Sequence, residues 1–407
     1  MKKLLIIGHT FPEPTTTAAG SRMMQLFSLF QEQDFEITFA STASVSEKSI
    51  SLSSLQIETK SIELNNASFD NFISELNPAI VLFDRFITEE QFGWRVAENC
   101  PNSLRILDTE DLHFLRKARQ EAVKKGILVK EANLFSETAK REIASIYRCD
   151  LTLIISEYEM ELLQNTFKID ASILYYLPFL VEETSGVNKL NSFEKRNHFI
   201  AIGNLLHQPN VDSILYLKKE IWSKIRKQLP KAELHIYGAY APQQILELHN
   251  EEESFLIKGW AENISEVMSN TRVCLAPLRF GAGLKGKLLD AMIYGTPSVT
   301  TNIGAEGMTG ELPFPGIVSD DIESFVNASV ELYSNKEKWM IAQQNGFKIL
   351  KNRFRRRLFS EEFKALINSL HKNITAHRNT NFIGQILQYK TLQSTKYMSK
   401  WIEEKNK

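Results

Sequence analysis

Val273–Gly295 reads VCLAPLRFGAGLKGKLLDAMIYG, and this stretch carries the strongest structural and chemical signal in the chain. An apolar strand ends at Pro277, a loop follows with Gly281 and Gly283, and a helix is expected to start near Leu284. Leu284, Leu288 and Met292 fall four apart and form one buried stripe on that helix. Glycines at a strand-to-helix turn let the backbone come close to an anion. The helix start offers unpaired N–H groups and the positive end of the helix dipole. Lys285 and Lys287 oppose that dipole, at a cost of a few tenths to about 1 kcal/mol each. An anionic ligand removes the cost, so the pattern favours a phosphate site over a glycine-rich turn with solvated lysines. Asp290 lies one turn beyond Gly286 on the same face, roughly 6 Å further along the axis. From there it can accept hydrogen bonds from the ribose hydroxyls of a bound nucleotide.

Outward from this motif the chain alternates strand and helix. In the first half, Leu4–Ile7, Phe35–Ala40, Ile80–Phe83, Leu104–Leu107 and Leu151–Ile155 read as strands, with helices expected from about Ser21 and over Glu157–Gln164. Near-continuous apolar strands alternating with helices indicate a parallel sheet covered on both faces. The polar stretch Val181–Asn197, with Gly186, breaks the rhythm and reads as a linker and hinge. Alternation resumes with strands at His198–Ile202, Glu233–Tyr237, Phe255–Ile257, Val273–Ala276, Pro297–Thr300 and Gly316–Val318, and a helix over Val211–Arg226. Helices are then expected over Ile322–Leu332, Lys336–Leu350 and Phe359–Leu370. Beyond Lys372, Phe382, Ile386, Tyr389 and Leu392 carry an amphipathic helical pattern. The expected class is α/β: two doubly wound Rossmann-like domains facing a cleft, with C-terminal helices. The expected boundaries are 1–182, a linker at 183–197, 198–350, and helices with a basic tail at 351–407. Ligands bind between the carboxyl ends of such sheets.

Composition narrows the class. The 407 residues are enough for two cores, with 43% hydrophobic and 24% charged residues. A net charge of −1 carries no nucleic-acid bias. Cys100, Cys149 and Cys274 are far apart and lack metal spacing, as expected in a reducing compartment. The opening MKKLLIIGHTF has too short an apolar run for a signal peptide. No stretch approaches the roughly 20 apolar residues of a membrane span. A cytoplasmic protein is expected, peripheral on the inner membrane face if the basic, apolar-interleaved run Arg116–Lys130 meets anionic lipid.

The C-terminal half resembles the retaining glycosyltransferases of the GT-B fold in family 4. The matching pieces are IGNLLHQPNVDSILYL (Ile202–Leu217), IWSKIRKQLPKAELHIYG (Ile221–Gly238), IKGWAENISEVM (Ile257–Met268) and APLRFGAGLKGKLLDAMIYGTPSVTTNIGAEGM (Ala276–Met308). The resemblance is strongest over Phe199–Gly310. It implies that the second domain holds a UDP- or GDP-sugar and the first holds a saccharide or lipid-linked acceptor. Lys285 would then bind the diphosphate with the backbone of Phe280, Gly281 and Gly283, helped by Arg279 or Lys287. Asp290 stands where relatives carry the ribose-binding glutamate. The preceding glutamate of that pair is replaced by Ala282, which leaves the donor sugar unspecified. Gly203 matches a glycine-bearing phosphate loop, but Asn204, His207 and Asn210 stand where many relatives have an arginine and a lysine. Leu256–Trp260 lies where relatives pin the base.

Within Arg105–Arg116 (RILDTEDLHFLR), Glu110, Asp111 and His113 cluster after a strand end that faces the cleft. Relatives often carry a functional His-Asp pair here. Asp111 matches the aspartate, Glu110 takes the histidine's place, and His113 is out of register. The cluster also reads as acids dressing a helix start. Relatives also have a glycine-bearing loop after the first strand, and Gly20-Ser21-Arg22 can serve as one or read equally as a loop and N-cap, with Thr15–Ala19 expected to move. His9 reads as structural more readily than functional. The implied activity is sugar transfer with retention of configuration, in polysaccharide or glycoconjugate synthesis, with no cofactor and no metal ion. A nucleotide-sugar epimerase on the same architecture and a non-catalytic nucleotide-sugar-binding partner remain the alternatives; oligomeric state stays open.

Overall fold

The computed structural model describes residues 2–183 and 190–406, with the side chains of residues 390–392 left out. The expected linker and hinge therefore fall in part, Gly186 included, outside the described residues. Among the described residues, thirteen strands form two sheets. The first holds β1 (Lys2–Gly8), β2 (Phe35–Ser41), β3 (Glu58–Ser61), β4 (Ile80–Asp84), β5 (Leu104–Asp108), β6 (Leu151–Ile154) and β7 (Leu174–Tyr176). The second holds β8 (Asn197–Ile202), β9 (Leu234–Tyr237), β10 (Phe255–Gly259), β11 (Thr271–Ala276), β12 (Ser298–Thr300) and β13 (Gly316–Val318). Their orders are β3-β2-β1-β4-β5-β6-β7 and β10-β9-β8-β11-β12-β13, and all their pairings are parallel. Order reverses between β1 and β4, and again between β8 and β11. Those two switch points open the crevices in which such sheets take ligands.

Strand periodicity explains the layers. Leu4 and Ile6 of β1 pack with Ile80, Leu82, Leu104 and Ile106 on one face, while Leu5 and Ile7 pack with Val81, Phe83 and Leu107 on the other. A third apolar cluster joins the domains, setting Ile155, Phe179 and Val181 against Leu284, Leu288, Met292 and Phe354.

Several boundaries differ from the sequence reading. β3 is a wholly exposed edge strand of sequence ETKS and carries no apolar signal. The first helix starts at Ala18, three residues early, because the Thr17 side chain accepts a hydrogen bond from Gly20 N. The Thr15–Ala19 turn is tied down: Thr16 N and Thr17 N donate to Glu13 O at 3.1 and 3.0 Å. The helix after the donor loop begins at Gly286, with Lys285 extended as its cap. The helix expected over Val211–Arg226 starts at Gln208 and contains a π turn at Leu217–Ile221.

The C-terminal helices return to the first domain. Phe363, Ile367 and Leu370 of the helix Ser360–Lys372 enter the β1-β4-β5 core, with the Phe363 ring 5.5 Å from Phe30 and 5.7 Å from Tyr175. The crossing lies beside the outgoing one. Val181 N donates to Phe354 O at 2.7 Å, and Arg356 N donates to Val181 O at 3.1 Å. The basic cluster Arg353–Arg357 is spent there on acids: Arg353 on Glu157, Arg356 on Glu32 and Glu182, and Arg357 on Glu183.

Phe363 is fully buried, so Phe363→Ala should destabilise the first domain by about 3–5 kcal/mol. Urea unfolding followed by near-ultraviolet circular dichroism measures this. A loss below about 1 kcal/mol would mean that the returning helix is no part of that core.

Candidate active site

A cavity of about 1270 Å³ lies between the carboxyl ends of the two sheets. Glu110, Asp111, His113, Gly20, Ser21, Gly203, Asn204, His207, Phe280, Gly281, Lys285, Lys287 and Asp290 all line it. Arg279 does not. It pairs with Asp212, Nε to Oδ2 at 2.9 Å, and its guanidinium lies 5.0 Å from the Tyr216 ring, on the outer surface. As a phosphate helper it is therefore set aside.

On the donor side, β11 hands over to the loop 277–285 and then to the helix Gly286–Ile293. Lys285 Nζ donates only to carbonyl oxygens, Ala282 O at 3.2 Å and Gly283 O at 2.6 Å. Burial lowers its pKa, offset in part by Glu306. Lys287 Nζ donates to Asn210 Oδ1 at 2.7 Å, and Asn210 Nδ2 donates to Asn204 O at 2.8 Å. Asn210 thus fastens the loop after β8 to the start of the donor helix. Burial brings Lys287 down to about 8 and Asp290 up to about 7.

The loop glycines are held by the first domain and do not stand free. Gly281 O accepts from Arg119 Nη1 at 2.8 Å, and Gly283 N donates to Glu159 Oε1 at 2.8 Å. Gly283 has φ +61°, and a Cβ there would lie 2.8 Å from Asp111 Cβ. A Cβ on Gly286 would lie 2.7 Å from Ala18 Cβ. Two helix N-termini, one from each domain, therefore meet across the cleft, and both dipoles favour an anion between them. Gly20 and Ser21 shape this meeting. Gly20 packs against the Glu13 backbone, and Ser21 Oγ donates to Pro14 O at 2.9 Å.

On the acceptor side, acids and arginines pair off. Arg22 forks onto Asp108, with Nη2 to Oδ1 at 2.7 Å, both fully buried. Arg85 lies 3.6 Å from Asp84, which also accepts a hydrogen bond from His9 N at 2.9 Å. Arg116 pairs with Asp111. Burial pushes the Asp111 carboxyl up, but Arg116 and then His113 outweigh it and hold the group below the usual carboxylate range. Glu110 forms no salt bridge among the described residues, although Arg85 and Arg22 lie close enough to offset part of the shift. Burial, then Asp108 and Asp84, raise its pKa well above the ordinary value. It also sits at φ +62°, a strained conformation for a side chain with a Cβ. Burial lowers His113 to about 3 despite Asp111 at 3.5 Å, so the imidazole is neutral near pH 7.

Nothing in the local sequence marks the carboxylates behind this surface. Glu142 accepts His113 N at 3.0 Å and Phe114 N at 2.9 Å. Glu159 Oε1 accepts Leu112 N at 3.0 Å as well as Gly283 N. Burial raises Glu142 to about 8 and Glu159 to about 7. Arg119 meets Glu306 through two hydrogen bonds of 2.8 and 2.7 Å across the domains. At the cleft mouth Tyr240 Oη donates to Glu13, Trp260 Nε1 donates to Thr15 O at 3.2 Å, and Lys48 lies 3.6 Å from the Trp260 ring centre.

Residues 196–335, most of the second domain, match the family model described as Glycosyl transferases group 1. The whole architecture is GT-B, as in three solved structures. A sucrose-phosphate synthase from Thermosynechococcus elongatus is 13% identical at a TM-score of 0.67, over 91% of this chain and 99% of that one. A TarM variant from S. aureus, solved with fondaparinux, alpha-GlcNAc-glycerol and UDP, is 10% identical at 0.69, over 90% and 100%. HepE from Anabaena, solved with UDP and glucose, is 13% identical at 0.67, over 91% and 100%. No curated protein matches the chain.

Glu159 yields a pH signature. Its folded pKa of about 7 exceeds the ordinary 4.5, so the folded state keeps a proton that the unfolded chain loses first. Its contribution to stability is full below pH 4.5 and is lost as pH rises to about 7. Glu159→Gln keeps an oxygen for both N–H groups but does not titrate. The stability of wild type minus that of the variant should fall across this window, by on the order of 2 kcal/mol. A difference that stays flat in urea melts from pH 4.5 to 7 would refute the assignment.

Proposed function

We propose that the protein transfers a sugar from a nucleotide-diphosphate sugar, UDP-sugars first, to a saccharide or lipid-linked acceptor with retention of configuration. One observation carries the reading. Lys285 and Lys287 flank the start of the helix Gly286–Ile293 inside the cleft, and neither donates a hydrogen bond to a carboxylate among the described residues. Positive charge at two converging helix N-termini suits a diphosphate. The group 1 domain supports the same reading, and UDP accompanies the TarM and HepE structures.

In the proposed reaction the bond from C1 of the sugar to the diphosphate oxygen breaks, and the acceptor hydroxyl oxygen bonds to C1. Lys285, Lys287 and the helix start stabilise the charge that grows on the leaving diphosphate. The acceptor proton passes to that departing oxygen on the same face, which preserves configuration. Asp111, pinned by Arg116, and neutral His113 orient acceptor hydroxyls, while Glu110 hydrogen-bonds to the sugar. Asp290 takes the ribose hydroxyls, and Trp260 lies where the base would stack. No cofactor or metal ion is assigned a step. Synthesis of cell-surface polysaccharide or glycoconjugate is the proposed setting.

The test is a mass-spectrometric screen of UDP- and GDP-sugars with saccharide and lipid-linked acceptors. Glycosylated acceptor is the expected product; an epimerised nucleotide sugar without transfer would replace this reading with the epimerase one. Lys285→Ala should lower kcat/KM by about 100-fold or more while leaving the thermal midpoint close to wild type.

The run Arg116–Lys130 divides. Arg116 and Arg119 are engaged inside the molecule. Lys124, Lys125, Ile127, Leu128 and Lys130 remain exposed, and we propose that they touch anionic membrane. Liposome co-sedimentation should rise with anionic lipid and fall in Leu128→Asp; indifference to lipid charge removes the idea.

A further inference from the structure

A second cavity, of about 260 Å³, lies far along β5 from the cleft, near the amino end of that strand. Its walls include Trp94, Arg105, Arg148 and Glu89, and Gln388 and Thr395 of the helix Phe382–Lys405 form a roof. The charges behind the walls do not balance. Glu89 is taken by Arg148 Nε at 2.8 and 3.0 Å, and Glu90 by Arg141 Nε at 3.0 Å. Asp150 accepts Arg378 Nε at 2.7 Å, Arg378 Nη2 at 2.8 Å and the backbone N of Arg105 at 2.8 Å. The buried Arg105 guanidinium reaches Asp150 only at 3.7 Å, and its Nε has no hydrogen-bond partner. Trp94 is on the same wall, and its enclosed Nε1, like Arg105 Nε, has no acceptor among the described residues.

One buried cation, Arg105, whose acidic partner lies only at 3.7 Å, thus borders the cavity beside the Trp94 indole. Buried donors seek acceptors, and a buried cation seeks negative charge. We infer that this cavity is a second ligand site, for a small oxyanion bearing a carboxylate or phosphate group. Its volume is below the roughly 300–1,000 Å³ of sites for drug-sized ligands, so it excludes a nucleotide sugar. Ligand oxygens would accept from the Arg105 guanidinium, next to the Trp94 indole, and the neutral polar groups of Gln388 and Thr395 would close over them. Occupation would fasten the C-terminal helix to the first domain.

The indole N–H of Trp94 is the reporter, which separates this site from anions in the cleft. The full-length 15N-labelled protein is titrated with inorganic phosphate and with succinate at constant ionic strength, and Trp94→Phe assigns the resonance. At least one anion should shift the Trp94 signal saturably and slow hydrogen exchange in the helix Phe382–Lys405. Arg105→Met should weaken that binding about tenfold or more, and Thr395→Phe, which fills the cavity from its roof, should abolish it. No saturable Trp94 shift with either anion overturns the inference, as does unchanged affinity in both variants. Should Arg105→Met fail to fold, Thr395→Phe decides alone.

Discussion

Glu159 Oε1 accepts one N–H from each side of the cleft, Leu112 from the acceptor turn and Gly283 from the donor loop. One oxygen thereby fixes the distance between two surfaces belonging to different domains. The rest of the site follows from that spacing. Gly283 must lack a side chain because Asp111 stands where a Cβ would be, and its left-handed backbone turns the chain into Lys285. Arg119 reaches over the same gap to Gly281 and Glu306. The donor loop is thus built from one domain and positioned by the other.

Charge is distributed unequally across this junction. The acceptor side is rich in acids, yet Arg22, Arg85 and Arg116 neutralise Asp108, Asp84 and Asp111, and burial raises the pKa of Glu110 well above its ordinary value. The donor side holds two lysines bonded only to neutral oxygens. The two lysines of the donor wall, beside the unpaired Asp290, therefore have no hydrogen-bonded carboxylate among the described residues. A diphosphate supplies that missing partner in a way that a neutral sugar alone cannot.

Much of the architecture was legible because it rests on local periodicity. Apolar runs such as Ile80–Phe83 and the glycine-to-lysine loop of Val273–Gly295 announce their strands and turn without help from elsewhere. The edge strand Glu58–Ser61 stayed hidden because exposure removes the apolar signal. The bridging residues stayed hidden for another reason: Glu159 lies 124 residues from Gly283, and Arg119 lies 187 from Glu306. Charged residues in a sequence do not declare their partners. The same ambiguity misplaced Arg279, which serves Asp212 on the surface.

The paired crossings near Val181 and Phe354 have a mechanical consequence. The backbone passes between the domains twice at nearly one place, and the passes are hydrogen-bonded to each other. Two adjacent tethers resist shear and twisting but permit rotation about the line that joins them. Any opening of the cleft would pivot at that seam and would have to part Tyr240 and Trp260 from Glu13 and Thr15. Substrates would enter from that side, and the donor loop, close to the pivot, would move least.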